Sequence, residues 1–440
     1  MCATPKRPPS GGLFLANSCH DGRARQGLHW ITLRAHSRSG LSTVRRAAWS
    51  HVLNLPAHFR VFAAFFLYSF SLGGFYPRLP EIQERLGVQE GALGLGLIGV
   101  ASGTLVSLTF IAPKLERFGY RRVLLTLMPL VSIGMWAASL ATQTWVMFMG
   151  LVATGLVVGC VETLVNVEAD RVEHQLKRRI MNRAHGFWSF GFFSAGALSA
   201  MLARASWTPQ EQLALSVALV LALMAILLSG YQAAPVRPTQ STDQDTPRWA
   251  TPTRSIWLLV SVCASALLLE GAGFDWSAIY MRDAFGSDPA QAALAVSVVA
   301  FAQGITRFNA DRFVQRFGVA RVSTMLLTIM LAGNVLVVIA TAPEWAMLGF
   351  AMLGVGSSAI FPLAVSAAAQ RQDRPAAVNV SALAQNGFII FLLAPPLLGF
   401  VAEHAGVRAA FAVCVPMVLI SLYNRKALDP EADGETSSRK

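Results

Sequence analysis

Charge is what this sequence has little of. Asp, Glu, Lys and Arg together make up 14% of its 440 residues, against 54% hydrophobic residues. A water-soluble chain of this length carries far more charge on its surface, so composition argues against one. Cysteine is also sparse: the five present follow no paired or metal-ligand spacing, which argues against a disulfide framework and a Cys-based metal centre. Cys160, Cys263 and Cys414 fall inside apolar runs, where a thiol packs as a small hydrophobe. No nucleophile constellation, phosphate-binding loop or metal set is present, so neither an enzymatic activity nor a cofactor is expected.

What is present is a series of apolar runs of about 18 to 23 residues, long enough at 1.5 Å per residue to cross a ~30 Å hydrocarbon core. Twelve can be counted, at roughly 59–77, 91–112, 123–141, 144–167, 185–204, 212–231, 255–279, 290–308, 321–341, 345–368, 377–402 and 407–423. They lack the alternation of barrel strands, and a helix satisfies its own backbone in lipid. The expected fold class is therefore an all-α membrane protein of twelve transmembrane helices.

The basic residues test that count. If the N-terminus is inside, only Arg78, Arg85, Arg204, Arg282 and Arg408 of the 36 Lys and Arg residues fall on the outer side. A missed or invented helix would scramble this bias, and the positive-inside rule then puts both termini in the cytoplasm. The net charge of +12 is thus largely topology and calls for no nucleic-acid partner. Part of it comes from the first 50 residues, which hold eight Lys and Arg against the single acid Asp21. Residues 1–57 read as a disordered basic tail or an over-extended start, with an organelle transit peptide as the alternative.

A sequence repeat organises the rest. Leu115-Glu116-Arg117-Phe118-Gly119-Tyr120-Arg121-Arg122 returns 199 positions later as Val314-Gln315-Arg316-Phe317-Gly318-Val319-Ala320-Arg321. Gly150 and Gly155 match Gly349 and Gly354 at the same offset. Repeats of this kind indicate a duplicated architecture. A Pro-rich polar connector, 232–254, separates a six-helix bundle at 58–231 from a second at 255–424, and a polar tail follows at 425–440. Two parallel six-helix repeats are the plan of a rocking two-bundle transporter. The segment Pro80–Gly91 reads as either a short amphipathic helix on the outer face or a solvated loop.

The repeated loop resembles the Gly-x-x-x-Asp-Arg-x-Gly-x-Arg-Arg signature of the major facilitator superfamily. Here it reads Ala112-Pro113-Lys114-Leu115-Glu116-Arg117-Phe118-Gly119-Tyr120-Arg121-Arg122, with Ala112 for the first Gly and Glu116 for the Asp. The resemblance covers about 58–425. Within the superfamily, three segments resemble fucose-permease-like bacterial inner-membrane proteins: Glu162-x-x-x-Asn166, His185-Gly186-x-Trp188-Ser189-x-Gly191 and Glu270-Gly271-x-x-x-Asp275-Trp276. Drug antiporters fit less well. They usually carry a Gly-Pro element in the fifth helix and a buried Arg in the fourth. Here Gly186, Gly191 and Gly196 have no Pro among them, and the fourth run offers Glu162.

A carboxylate inside a membrane helix costs roughly 2.5–3.5 kcal/mol on insertion scales, so each one asks for a reason. Glu162 and Asn166 share a helix face with Gly155 and Gly159, a face that small residues turn toward other helices. Glu162 is the first candidate for a proton site, with structural pairing as the competing reading. Glu270, flanked by Gly271 and Gly273, is a second candidate. Asp275 faces another way and competes with a role at the helix end. His185 and Ser189, one turn apart, either meet an acid such as Glu162 or serve helix packing. Asn379 and Asn386 share a face of the eleventh run and suit either solute recognition or interhelical hydrogen bonding. Tyr76 and Phe75 offer aromatic faces for stacking on a ring or for the interfacial belt. At the inner mouth, Glu116, Arg117, Arg122, Arg307, Asp311 and Arg312 are the expected gate residues, with Arg307 and Asp311 also close enough to pair locally.

The function expected is secondary transport of a small polar solute by alternating access, with proton symport as the coupling. Proton-driven efflux and a non-transporting sensor on the same scaffold are the alternatives. The expected partners are the solute, protons and the lipid bilayer, with a single chain as the working unit in a bacterial inner membrane.

Overall fold

The computed structural model describes residues 55–228, 230–235 and 250–429, apart from the side chains of Pro113, Glu116 and Arg117. The basic tail, the middle of the connector and the C-terminal tail lie outside the described residues. Twelve helices among the described residues are long and apolar enough to cross a membrane. They are α1 (Ala57–Leu86), α2 (Glu90–Ile111), α3 (Tyr120–Ser139), α4 (Thr144–Leu176), α5 (Met181–Arg204) and α6 (Pro209–Leu227), then α7 (Arg254–Asp275), α8 (Pro289–Phe317), α9 (Val319–Ile339), α10 (Pro343–Gln370), α11 (Ala376–Ala405) and α12 (Val407–Leu428). Each corresponds to one apolar run of the sequence, and the described residues contain no strand.

Several helices depart from a plain rod for reasons written in the chain. In α1 the α-helix stops at Gly73, Tyr76–Arg78 form a 3-10 turn, and Leu79–Leu86 resume as an α-helix. Pro77 and Pro80 stand at the starts of those two pieces, where a missing N–H costs no hydrogen bond. The segment after Pro80 is thus a short helix, not a loop. Arg78 anchors it from within. Its guanidinium is fully buried and donates to both Glu81 oxygens (2.6 Å each), Gln212 Oε1 (2.7 Å) and the Trp207 carbonyl (2.6 Å). This is a paired charge with a hydrogen bond from each of its nitrogens, the form in which an arginine tolerates burial.

The 199-residue repeat is carried in the packing as well as in the loop. Gly155 of α4 lies so close to α2 that a Cβ there would stand 2.2 Å from the Val100 carbonyl oxygen. Its copy Gly354 in α10 approaches the Val299 carbonyl of α8 to 2.3 Å on the same measure. Val299 is itself the copy of Val100. Gly150 and Gly349 likewise face Ala138 and Val337, another pair at the same offset. Without a hydrophobic drive between helices in lipid, such small-residue contacts let backbones approach closely enough for dispersion to hold them. The loop signature shares this symmetry: Gly119 and Gly318 both hold positive φ, 84° and 79°, as they cap α3 and α9.

The two halves meet along two seams, α5 with α8 and α2 with α11. At the end away from the basic loops they are tied together. Arg282 donates to the Pro80 carbonyl (3.0 Å) and Gln83 Oε1 (2.8 Å) and lies 3.7 Å from Glu84. Glu403 Oε2 accepts from the Gly91 amide (2.9 Å) at the start of α2, and Gly94 packs against the Pro395 carbonyl. At the basic end, Asn182 of α5 donates to Asp311 of α8.

Replacing Gly155 by Val forces side-chain atoms into backbone of α2 that cannot yield, and overpacking of this kind costs about 1–3 kcal/mol or more. The thermal midpoint in detergent should therefore drop clearly for Gly155→Val and for Gly354→Val. Gly150→Ala, whose Cβ would sit 3.6 Å from its nearest neighbour, should leave it nearly unchanged.

Candidate functional site

Charged and polar side chains of both halves converge on Arg307 of α8. Its Nη2 donates to Glu270 Oε1 of α7 (3.1 Å), and its Nη1 donates to Ser189 Oγ of α5 (3.0 Å). Its Nε donates to the Ser358 carbonyl of α10 (3.1 Å). That last acceptor exists because of Pro362. A proline has no N–H to give the carbonyl four residues back, so Ser358 O is left without its helical partner. The helix is interrupted there, with one α segment ending at Ser357 and the next beginning at Ile360. The Arg307 and Glu270 side chains are only 14% and 12% exposed, so this ion pair is screened little by water.

Ser189 extends the cluster across the seam. Fully buried, it accepts from Arg307 and donates to Gln303 Oε1 (3.1 Å), one turn before Arg307. The Nε2 of Gln303 is buried and has no hydrogen-bond partner among the described residues. Glu162 of α4 approaches from the other half. Asn166 Nδ2 donates to its carboxylate (3.0 Å) and the Tyr68 hydroxyl of α1 also bonds it, while Arg307 lies within electrostatic reach. His185 faces Phe65 edge-on, with ring centroids 5.1 Å apart, and its charged neighbour is Arg307 rather than Glu162. Above this polar layer, toward the tied end, Tyr76, Trp188, Phe192 and Phe274 pack ring against ring, the Phe192–Phe274 centroids 4.4 Å apart. Asp275 sits beside Tyr76 in the same roof.

Seven of the residues singled out in the sequence (Glu162, Asn166, His185, Ser189, Glu270, Asp275 and Tyr76) therefore lie in this interior cluster or its roof. Arg307 joins them, which corrects its place among the gate residues and its expected local pairing. Asp311 bonds Asn182 across the seam, and Arg307 turns to Glu270. Asn379 also moves out of the recognition set. Its Nδ2 donates to Asp373 Oδ1 (2.8 Å), within a clasp that joins the start of α7 to the start of α11. Asn386 bonds the Ala382 carbonyl (2.8 Å) of its own helix. Arg122 and Arg312 are exposed at the basic end, and the side chains of Glu116 and Arg117 are outside the described part of the chain.

Sequence reading missed Tyr68, Gln303 and the Ser358 carbonyl. Gln303 and Arg307 stand one turn apart near the end of an apolar run, and that spacing was the available signal. Pro362 inside an apolar run was the signal for a free carbonyl.

Two six-helix halves built on one repeat, closed together at one end around a buried cluster contributed by both, define a membrane transporter of the two-bundle type. The chain belongs to the Major Facilitator Superfamily, whose family model matches residues 61–274 and 258–440. An uncharacterized MFS-type transporter of Yersinia pestis is 27% identical over 363 residues, 82% of this chain and 92% of its own. An uncharacterized transporter of Sinorhizobium fredii, y4wD, is 28% identical over 357 residues, 80% of this chain and 93% of its own. The crystal structure of a mutant of the nucleoside transporter NupG superposes with a TM-score of 0.66 over 85% of this chain and 100% of that one. At 14% identity that likeness is one of fold.

The Asp373 clasp yields a pH prediction. Partial burial raises the carboxyl, but hydrogen bonds from Thr253, Asn379 and Ser255 outweigh it and hold the group below the usual carboxylate range. A carboxyl depressed in the folded state adds stability above its unfolded pKa and loses it as pH falls through the folded value. Thermal midpoints followed into the acid range should therefore fall less steeply for Asp373→Asn than for the parent. Identical slopes would remove the clasp from the acid response.

Proposed function

We propose that this transporter moves a small polar solute by alternating access and couples the movement to protons as a symporter. The basic end faces the cytoplasm of a bacterium, the membrane is the inner one, and a single chain is the transport unit. Supporting the orientation is the segregation of Lys and Arg to one side of the twelve spans. Supporting a polar solute is the make-up of the interior: Asn166, His185, Ser189 and Gln303 offer donors and acceptors beneath an aromatic roof. The fucose-permease-like motifs fall in this same cluster.

The observation that carries proton coupling is the charge count around Arg307. Glu270 holds the guanidinium directly, and Glu162, from the opposite half, lies within its reach while bonded to the uncharged groups of Tyr68 and Asn166. Two carboxylates thus share one cation in a medium where an uncompensated charge is costly. A proton on Glu162 balances the count and leaves Arg307 to Glu270. Loss of that proton makes Glu162 a competitor for the same guanidinium. Because the competitors belong to different halves, the proton changes the attraction between the halves, which a coupled rocking cycle requires.

In proteoliposomes under an imposed pH gradient, one member of a panel of small polar solutes should accumulate uphill. A gradient of one unit sustains about tenfold accumulation when one proton moves with each solute. Glu162→Gln is expected to abolish the uphill component and to retain solute counterflow. Undiminished accumulation in that variant ends the assignment of Glu162. Solutes that raise the thermal midpoint without crossing the membrane would replace transport by sensing.

A further inference from the structure

A cavity of about 730 Å³ lies apart from the Arg307 cluster, at the basic end, between α1 and α5 of the first half and α8 of the second. Its floor is aromatic: Phe62 stacks on Phe187 (4.8 Å between centroids), and Phe187 meets Phe308 edge-on (5.5 Å). Its rim carries Arg178, Arg183 and Arg312, and no acid lines it among the described residues. Two acids on the same helices or their connections, Glu173 and Asp311, are already engaged. Glu173 accepts from the Ile180 and Met181 amides (2.7 and 3.0 Å), and Asp311 accepts from Asn182. None of the three arginines has an ion-pair partner among the described residues, so three cations converge on an apolar pocket with nothing there to balance them.

The surface leading to the pocket is apolar as well. Phe301 and Ile305 are exposed on α8 (42% and 44%), one turn apart, and the same helical face continues to Arg312. Phe190 and Phe193 of α5 border Phe301 across the seam. A soluble anion has no use for such a stripe. A lipid acyl chain does.

We propose that this pocket binds the headgroup of an anionic phospholipid, its phosphodiester held by Arg178, Arg183 and Arg312 and one acyl chain laid along Phe301 and Ile305. Basic pockets between membrane helices at the cytoplasmic level recognise such headgroups, and arginine matches phosphate oxygens in bidentate fashion. The lipid bridges the halves, because Arg178 and Arg183 belong to the first and Arg312 to the second. It therefore favours the form in which the basic ends of α5 and α8 stay together, the same form that the Asn182–Asp311 bond holds.

The full-length chain in phosphatidylcholine nanodiscs, with and without added phosphatidylglycerol, provides the test, with retained lipid read by native mass spectrometry after release. Phosphatidylglycerol should be retained selectively. Each of Arg178→Gln, Arg183→Gln and Arg312→Gln should weaken retention about fivefold, and the triple variant about a hundredfold. The triple Arg→Lys variant keeps the charge but loses the bidentate fork and should retain the lipid more weakly than the parent and well above the triple Gln variant, which separates loss of the site from loss of the fold. Arg254→Gln, at the same end but outside the pocket, should have no effect. Equal retention of the two lipids overturns the proposal. So does an Arg254→Gln effect as large as that of the pocket variants, which would mark diffuse surface charge. Displacement of the lipid by glycerol 3-phosphate at comparable concentration would assign the pocket to a soluble anion and overturn the proposal equally.

Discussion

A guanidinium in the interior of a membrane protein has to be paid for by its neighbours, and Arg307 shows how three other helices are committed to doing so. Glu270 from α7 supplies the countercharge, Ser189 from α5 supplies a hydroxyl, and α10 supplies the Ser358 carbonyl that Pro362 leaves open. Removing one partner of a buried pair leaves the other charge uncompensated, which typically costs about 3–5 kcal/mol. The geometry around Arg307 is thus constrained from both halves at once. Ser189 carries the hydrogen bonds that cross between the halves in this cluster, and Glu162 stands in electrostatic reach on the same far side. A rocking movement must break or exchange those crossing contacts, so whatever loads the site acts on the bonds that couple the halves.

Much of the architecture was legible because membrane constraints write themselves in one dimension. Lipid demands uninterrupted apolar length, so α1 to α12 could be counted, and the charge bias around the loops fixed their alternation. Gly119 and Gly318 were visible as a repeat because a backbone with positive φ keeps its glycine. The interior cluster was legible only in part. Acids within apolar runs stand out, and Glu162 and Glu270 are conspicuous for that reason. Arg307 is harder to place because α8 continues to Phe317, past the end of its apolar run. A residue near the end of the run looks like a mouth residue, yet the helix carries it inside. Asn379 misleads in the opposite sense: its face is shared with Asn386, but its position at the start of α11 puts its amide on Asp373. Helix periodicity gives the face of a residue; depth depends on where the helix really begins and ends.

The repeat itself explains why its most informative positions were hidden. Gln83 and Arg282 are 199 residues apart and hydrogen-bonded to one another, so a residue there touches its own copy. Tyr76 and Asp275 are separated by the same interval and also interact. Two equivalent residues can touch only where the axis relating the halves passes between them, and both pairs lie toward the tied end. An undiverged duplicate at such a place sets like against like, arginine facing arginine or aspartate facing aspartate, in a medium that screens charge weakly. Gln83 with Arg282 avoids this, a side-chain acceptor meeting a guanidinium donor across the halves. Positions on the axis are therefore where a duplicated chain must lose its repeat to stay closed. The loop glycines keep it, because the positive φ with which each caps its helix favours glycine in both halves.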